Sequence, residues 1–348
     1  TWTGATSTSW DVGSNWSTGV VPTNADDVVI PGGTPNNPTV VSSCSARSIL
    51  VQSGAVLNLG AVNCQVQGSV RVDGTTAGTG AFQIQAAGQV QGNLRGLIIS
   101  APVSLSDIAS IVGNLVITGA GASFDLNGFN TVVSGSLSVQ SSGLLIMTHP
   151  ADILTVAGDA VFAGGNELGQ LSAGTLGIGG NFTQTNASGS GDSFHPSGTH
   201  NTILQPLGPV AVSFQTPGDV PGTSHFQNLQ FAGFTPVTLT LASDVYAHGS
   251  FVLTNSGTTT FTSTNWAITV GDVVIGTPTV FDNTRLVVTD PLGVPSFLGA
   301  VTFQNMNPTV TQLSLTNNGS GSPLTLTDAT FATTPTGGGL YLSATDAD

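Results

Sequence analysis

The sequence predicts an all-β protein, folded as a parallel β-helix with an aromatic cap at its N-terminus. Three observations carry this prediction: a composition poor in helix formers, short stretches in which apolar and polar residues alternate, and a repeat whose length varies between roughly 21 and roughly 29 residues. A repeat of this length without a helical period suits one turn of a β-helix, in which three short strands are joined by three corners.

The composition favours strands and turns over helices. Glycine supplies 46 of the 348 residues, methionine only 2 and lysine none, and glutamate occurs once, as Glu167. Most other residues are Val, Thr, Ser, Leu, Ile, Asn and Gln, which are typical of strands and turns. Hydrophobic residues make up 39% of the chain, enough to build a core, and this argues against disorder.

The repeat is marked by three arginines and a series of glycines. Arg47, Arg71 and Arg95 are evenly spaced in the sequence, and their spacing predicts a turn of about 24 residues. A glycine register starts at Gly68 and Gly92 and continues at Gly113, Gly135, Gly158, Gly180, Gly249, Gly271 and Gly299. Counted from Cys44, it predicts about 13 turns. The arginines are expected to form a surface ladder that faces acids, because like charges one turn apart repel.

Within each repeat apolar and polar residues alternate, as in Leu115-x-Ile117 and Leu137-x-Val139. Period two predicts half-buried strands whose inner faces stack into one core. The stacked strands are expected to pair in parallel, and the crossover rule predicts a right-handed coil. A string of small β-sandwiches is the alternative fold, and it would need a period of roughly 80 to 100 residues.

The chain is expected to divide into an N-terminal cap with the first strands, residues 1–43, and a β-helix, residues 44–348. Three stretches rich in Pro and Gly lengthen their turns: 205–222, 290–297 and 305–323. Insertions in solenoids collect as loops on one face, so these stretches are expected to be loops that contact a partner.

Three of the four tryptophans, Trp2, Trp10 and Trp16, lie at the N-terminus, where large aromatics would close the open end of a solenoid. The segments Trp2-Thr3-Gly4, Asn15-Trp16-Ser17 and Asp26–Ile30 resemble the opening of secreted bacterial β-helix surface proteins, the autotransporter-like passengers and large adhesins. The resemblance implies an extracellular location and an adhesive or scaffolding role, with no catalytic residues to carry over. The chain is expected to be a mature one, from which a signal peptide has been removed.

The charge excludes two classes of partner. Four arginines stand against 18 acidic residues, which gives a net charge of −14. Nucleic acids and anionic membrane surfaces need clustered basic residues, so neither is an expected partner. Membrane insertion is not expected either, because the apolar runs are too short to span a bilayer.

The sequence offers little for catalysis. The one adjacent pair of carboxylates, Asp26 and Asp27, is expected to be a turn acid before a strand rather than the paired acids of a glycoside hydrolase. Exposed corners are expected for the five histidines, with a metal site as the alternative: His149, His195, His200, His225 and His248. No enzyme activity and no cofactor are expected, and a structural calcium ion stays open.

The two cysteines, Cys44 and Cys64, lie near the N-terminus. With turns of the length that the arginines predict, Cys64 falls short of stacking on Cys44, but a corner can bring such a pair within disulfide range. An even number of cysteines in a secreted chain favours a disulfide, and two buried thiols are the alternative.

The sequence therefore predicts an extracellular structural protein, either a subunit of a cell-surface or matrix filament or an adhesin. Unpaired strand edges at the ends of a solenoid pair with other chains unless they are covered. A second copy, joined head to tail, is thus the expected partner, and the candidate interface has one residue set at each end: Trp2, Trp10 and Trp16, and Leu340, Tyr341 and Leu342. Surface polysaccharide is a further expected partner, and a carbohydrate-binding or polysaccharide-degrading β-helix is the alternative function.

Overall fold

The structure is a computed structural model. It describes residues 1–233, 236–254 and 256–289, and six strand segments beyond them: 296–297, 301–304, 313–317, 325–326, 329–331 and 343–344. The parallel strands stack as the turns of a β-solenoid, about 12 in all, with an aromatic cluster at the N-terminus. The predicted fold class is confirmed. None of the helices formed by the described residues is long and apolar enough to cross a membrane.

The chain divides into two compact units. Unit 1 consists of residues 1–158 and 163–165, and unit 2 of residues 159–162 and 166–348. Unit 1 contains a 3-10 helix, Gly13–Asn15, and the strands β1 Asp27–Ile30, β2 Ser45–Ala46, β3 Ser48–Val51, β4 Val56–Asn58, β5 Cys64–Val66, β6 Val70–Val72, β7 Thr75–Ala77, β8 Phe82–Ile84, β9 Gly88–Leu94, β10 Leu97–Ile99, β11 Pro102–Ile111, β12 Leu115–Thr118, β13 Ser123–Asp125, β14 Asn130–Val133, β15 Leu137–Gln140, β16 Leu144–Ile146 and β17 Ile153–Val156.

In the middle of unit 1 each turn has three strands, as the alternation predicts. β12 pairs with β15, β13 with β16 and β14 with β17, all in parallel. The register sets Leu115 against Leu137 and Phe124 against Leu145, and all four side chains are fully buried. Each such side chain contributes about 1.5–3 kcal/mol of burial free energy, so the inner columns hold the turns together.

Unit 2 begins at residue 159 and contains β18 Ala160–Ala163 except for its last residue. Its other strands are β19 Thr175–Ile178, β20 Phe182–Gln184, β21 Asn201–Leu204, β22 Val210–Phe214, β23 Asn228–Phe231, β24 Val237–Leu241, β25 Val245–Leu253, β26 Thr259–Thr262, β27 Ala267–Ile275, β28 Thr279–Asp282, β29 Arg285–Val288, β30 Ser296–Phe297, β31 Val301–Gln304, β32 Leu313–Asn317, β33 Thr325–Leu326, β34 Ala329–Phe331 and β35 Ser343–Ala344.

Phenylalanine fills much of the core of unit 2. Phe261, Phe281 and Phe303 lie in register on successive strands, and their rings stack with centroids 5.2 and 4.8 Å apart. A second cluster packs ring against ring further towards the N-terminus of the unit: Phe162, Phe182, Phe194, Phe214 and Phe226. Aromatic pairs in such geometry add to the burial free energy of their area.

The first turns are shorter than the spacing of the arginines predicts. Ser45 pairs with Gln65, and the same step along the chain separates Cys44 from Cys64. The shorter turn therefore stacks Cys64 directly on Cys44, and the two form a disulfide whose Cα atoms are 4.5 Å apart. The predicted offset between the two cysteines is wrong, and stacking alone brings the two sulfur atoms together.

The prediction of an arginine ladder is also wrong, because the first turns are shorter than the spacing between the arginines. In the register of the strands Arg71 lies beside Gln91, not beside another arginine. The expected acidic partners are nevertheless present, because Arg47 forms an ion pair with Asp27, and Arg71 forms one with Asp73 at 2.9 Å. Both pairs are exposed to solvent, so each contributes little to stability.

In the middle of unit 1 the glycines of the predicted register stack on one another from turn to turn. The Gly135 N–H donates to the Gly113 carbonyl and the Gly158 N–H donates to the Gly135 carbonyl, both at 2.9 Å. A Cβ atom on Gly135 would lie only 2.6 Å from the Gly113 oxygen. Successive turns approach so closely here that a side chain would push them apart.

The predicted insertion at 205–222 is not one loop. Strand β22 runs through it and pairs with β20 and β24. The extra residues lie in two connections, which we call loop A (185–200, between β20 and β21) and loop B (215–227, between β22 and β23). Of the other two predicted insertions, 290–297 and 305–323, the structure describes only β30 and β32, and the remainder lies outside the described residues.

Candidate functional site

Three histidines of unit 2 lie beside one another on successive turns. His195 comes from loop A, His225 from loop B and His248 from β25. The ring centroids of His195 and His225 are 4.3 Å apart, and those of His225 and His248 are 6.2 Å apart. The expectation of an exposed corner holds for His149, whereas His248 is exposed but lies within β25. It is wrong for His195, His200 and His225, which are buried.

Hydrogen bonds fix loop B against loop A. The Asp192 carboxylate of loop A accepts a hydrogen bond from the Gly222 N–H of loop B at 2.7 Å. The Nδ1 atom of His195 lies 2.8 Å from the Thr223 carbonyl oxygen. The Asp192 and His195 side chains are buried and lie 3.3 Å from each other, so these contacts between the loops are shielded from water. The two long loops therefore form a defined surface.

The His225 side chain packs between loop B and loop A. Its Nδ1 lies 3.2 Å from the Gly218 oxygen and its Nε2 lies 3.0 Å from the Pro196 oxygen. Burial lowers the pKa of His225 to about 4, and the neighbouring His195 adds to this effect. The ring is thus neutral near pH 7, so its single N–H can donate to one of these two carbonyls, and the ring packs against the backbone directly before Asp219.

Strand β25 carries a β-bulge. His248 and Gly249 together stand opposite a single residue of β27, Gly271. Bulges bend a strand and re-aim its side chains, and they are common beside functional sites. Here the His248 side chain is exposed, and its Nδ1 lies 3.8 Å from Oδ2 of Asp219 in loop B.

A groove of about 330 Å³ lies at this bulge, and we call it the β25 groove. It brings together a carboxylate, an imidazole, a phenol, an amide and two hydroxyl groups. These polar groups belong to Asp219, Gln227, Tyr246, His248, Thr269 and Thr289. A concave site with several convergent polar groups is the usual form of a small-molecule site.

The phenol of Tyr246 remains protonated in this setting. Burial raises the pKa of Tyr246, and the carboxylates of Asp244 and Asp219 add to the effect. The Arg285 guanidinium acts in the opposite direction, and it lies 3.9 Å from the Asp244 carboxylate. Tyr246 thus lines the groove as a neutral phenol whose hydroxyl group can donate.

The histidines give no geometric support to the metal alternative. In the part of the chain that the structure describes, no three His, Cys, Asp or Glu side chains converge as a metal ion requires. His195 directs Nδ1 at the carbonyl of Thr223, and His225 directs both ring nitrogens at carbonyls. These nitrogens lie within hydrogen-bond distance of backbone carbonyl oxygens.

The three N-terminal tryptophans are buried within the protein. Trp2, Trp10 and Trp16 are only 1%, 0% and 3% exposed, and Trp16 meets the other two rings edge to face at 5.0 and 4.7 Å. Packing on one another leaves these rings little surface with which to receive another chain, as the expected interface requires. The other half of that interface lies outside the described residues: Leu340, Tyr341 and Leu342.

Asn15 explains why this segment folds into a cap. Its Oδ1 accepts hydrogen bonds from the N–H groups of Thr6 and Ser7, both at 2.9 Å. The fold thus created brings the Trp2 N–H to 2.9 Å from the Val29 carbonyl. That carbonyl lies on the outer edge of β1, so the cap covers the edge of the first turn.

Asp26 and Asp27 do not act as a pair. Asp26 accepts hydrogen bonds from the N–H and the hydroxyl of Thr23, both at 2.8 Å, which lowers the pKa of Asp26. Asp27 bonds to Arg47 and Ser48, which lowers the pKa of Asp27 to about 2. Asp26 is a turn acid, as expected, and Asp27 is the partner of an arginine.

Comparison with known proteins gives one match. A family model described as a domain of unknown function (DUF8693) matches residues 1–94, which comprise the cap and the turns up to the end of β9. No curated protein matches the chain, and no solved structure matches it. The match carries no statement of activity, and it ends before the β25 groove.

The pattern of the sequence does not predict the β25 groove or loop A. One signal was present: His195, His225 and His248 recur at intervals close to the length of a turn. Stacked turns place such residues side by side, so the interval predicts a column. Nothing in the sequence marks the bulge that turns His248 towards Asp219.

Proposed function

We propose that this protein is a non-enzymatic extracellular adhesin, a capped β-solenoid that holds its partner on the outer surface of unit 2. The observation that carries the proposal is the β25 groove. Only 6% of the residues in this chain are charged, yet Asp219, Tyr246 and His248 converge on one concave site. Such a concentration of polar groups on an otherwise sparsely charged protein favours a binding role.

The cap favours an adhesin over a filament subunit. End-to-end growth needs an unpaired strand edge at each end. At the N-terminal end the Trp2 N–H already bonds to β1, and the tryptophan side chains are buried. A terminal capping element of this kind is what keeps solenoid proteins soluble and separate.

Two features support the proposed location and the lack of enzyme activity. A disulfide between Cys44 and Cys64 is stable in the oxidising environment outside the cell. The adjacent acids Asp26 and Asp27 are engaged in a turn and an ion pair, so neither is poised for general acid or base chemistry. Surface polysaccharide is the proposed partner.

Attachment assays test this proposal. Beads that carry the whole chain are washed over surfaces coated with polysaccharide, with albumin, or left bare, while light scattering follows the protein in solution. We expect attachment to polysaccharide and a protein that stays monomeric on its own. Beads that attach to none of the surfaces, or fibres that form without a partner, would contradict the proposal.

A further inference from the structure

We propose that the β25 groove binds a neutral, hydroxyl-rich sugar unit of a polysaccharide. The inference rests on the proposed adhesive function and assigns it to one site. It is carried by the way the groove is built, by the chemistry of its lining, and by the charges and strand pairings around it.

Two elements of unit 2, loop B and strand β25, form the walls of the groove. One wall is Asp219 of loop B, and buried His225 holds the carbonyl of the preceding residue, Gly218. The opposite wall is β25, whose bulge presents His248 at 3.8 Å from the Asp219 carboxylate. The volume of about 330 Å³ falls at the lower end of the range for ligand sites, roughly 300–1,000 Å³. A small, compact ligand is therefore indicated.

The lining suits a sugar. Sugar hydroxyls both donate and accept, and the groove offers an acceptor in Asp219 and groups that do both in Gln227 and Thr269. Tyr246 adds a ring face against which the apolar face of a sugar can pack, and its hydroxyl can donate. This mixture of one aromatic face with convergent donors and acceptors is poorly matched to a purely apolar ligand.

The charges favour a neutral sugar over an acidic one. The groove lining contributes a carboxylate, Asp219, and contains neither lysine nor arginine. The nearby cation Arg285 lies beside a second carboxylate, Asp244. An acidic sugar would bring its charge towards two carboxylates, and the net charge of −14 would add long-range repulsion.

A peptide is a poorer fit than a sugar. Extended peptides bind to sheets by adding a strand to a free edge. Strand β25 pairs with β23 on one side and β27 on the other, so its backbone has no free edge to offer. Recognition in the groove must rely on side chains, as recognition of sugars does.

Calorimetric titration of the whole chain with soluble oligosaccharides tests the proposal. The probes are neutral hexose oligosaccharides, oligosaccharides of the same length that carry uronic acids, and the neutral set in the presence of EDTA. We expect the neutral probes to bind, the acidic probes to bind at least about tenfold more weakly, and EDTA to have no effect. Preferential binding of the acidic set, or loss of binding in EDTA, would overturn the inference.

Two variants test whether the sugar binds in the β25 groove. Asp219→Asn and Tyr246→Leu should each weaken binding of the neutral probe about tenfold or more, because the first replaces a charge-assisted acceptor by a weaker neutral one and the second removes the aromatic ring and its hydroxyl. Asp107→Asn removes the same charge from an exposed position of unit 1 and should leave affinity unchanged. Circular dichroism confirms that each variant is folded. Unchanged affinity in both groove variants would overturn the inference.

The bead assay separates this inference from the proposed function. If wild-type beads attach to polysaccharide and the Asp219→Asn beads attach equally well, the groove is not the site, and the adhesin proposal stands. If wild-type beads attach to no surface, the adhesin proposal fails. Attachment that is lost in the Asp219→Asn beads and kept in the Asp107→Asn beads supports both.

Discussion

Replacing His200 with leucine should stabilise the protein, most strongly at acidic pH. The His200 side chain is fully buried, and its ring lies 6.4 Å from that of Phe194. Neither ring nitrogen has a hydrogen-bond partner among the described residues. An unpaired buried polar group costs about 1–3 kcal/mol, so His200→Leu should raise the free energy of unfolding by about that amount at pH 7.

The pH dependence follows from the two states of the imidazole. Burial lowers the pKa of His200 from 6.5 to about 3. Between these values the unfolded chain binds a proton that the folded chain does not, so stability is lost as the pH falls below 6.5. At about 1.36 kcal/mol per pKa unit, His200 alone removes about 2–3 kcal/mol between pH 6.5 and 4.5. The His200→Leu variant is spared this loss.

Guanidinium denaturation at pH 7 and pH 4.5, followed by circular dichroism, measures the effect. The variant should gain about 1–3 kcal/mol at pH 7 and about 2–3 kcal/mol more at pH 4.5. His225 also destabilises the protein in acid, but it is present in both proteins and cancels in the difference. His149→Asn changes an exposed histidine and should leave both values unchanged. A variant that is less stable at pH 7 and keeps the acid-dependent loss would refute the reasoning.

Three further changes test the core, the cap and the disulfide. Leu115→Asp should cost several kcal/mol of unfolding free energy, because it buries a charge in an apolar column, whereas Val132→Asp, on a half-exposed side chain, should change thermal stability little. Asn15→Ala should lower the midpoint of thermal unfolding by leaving two N–H groups of the cap without their acceptor, and tryptophan fluorescence should show the indoles becoming exposed first. Reducing the Cys44–Cys64 disulfide should cost about 3 kcal/mol in denaturant titrations, and an unchanged midpoint would mean that the cross-link constrains nothing.

The turns of the solenoid could be predicted from the sequence, but their exact length could not. Alternation in segments such as Leu115-x-Ile117 reflects the pleat directly, because every second residue faces the core. The spacing of Arg47 and Arg71 reflects only where surface charges fall, and a charge on the outer face places no constraint on register. The turn lengths are set by paired inner residues, which the arginines do not mark.

The β25 groove could not be predicted for a different reason. It forms where loop B, held by buried His225, meets a bulge at His248 and Gly249. Loops and bulges have no period, so hydrophobic patterning does not reveal them. Burial of His195 and His225 depends on two long loops covering each other, and this is a tertiary contact. The cap could be predicted in part. Its tryptophans indicated a closed end, but nothing in the sequence indicated the hydrogen bonds that Asn15 makes.

Sedimentation with and without an insoluble neutral polysaccharide tests whether the protein is a separate binding module. Our proposal is that a capped, separate solenoid binds a surface polysaccharide through the side of unit 2. It therefore predicts that the protein alone sediments as a 34.8 kDa monomer at high concentration, and that it moves to the pellet with the polysaccharide unless Asp219 is replaced by asparagine. Protein that forms large particles on its own, or that stays in the supernatant beside the polysaccharide, would contradict the account.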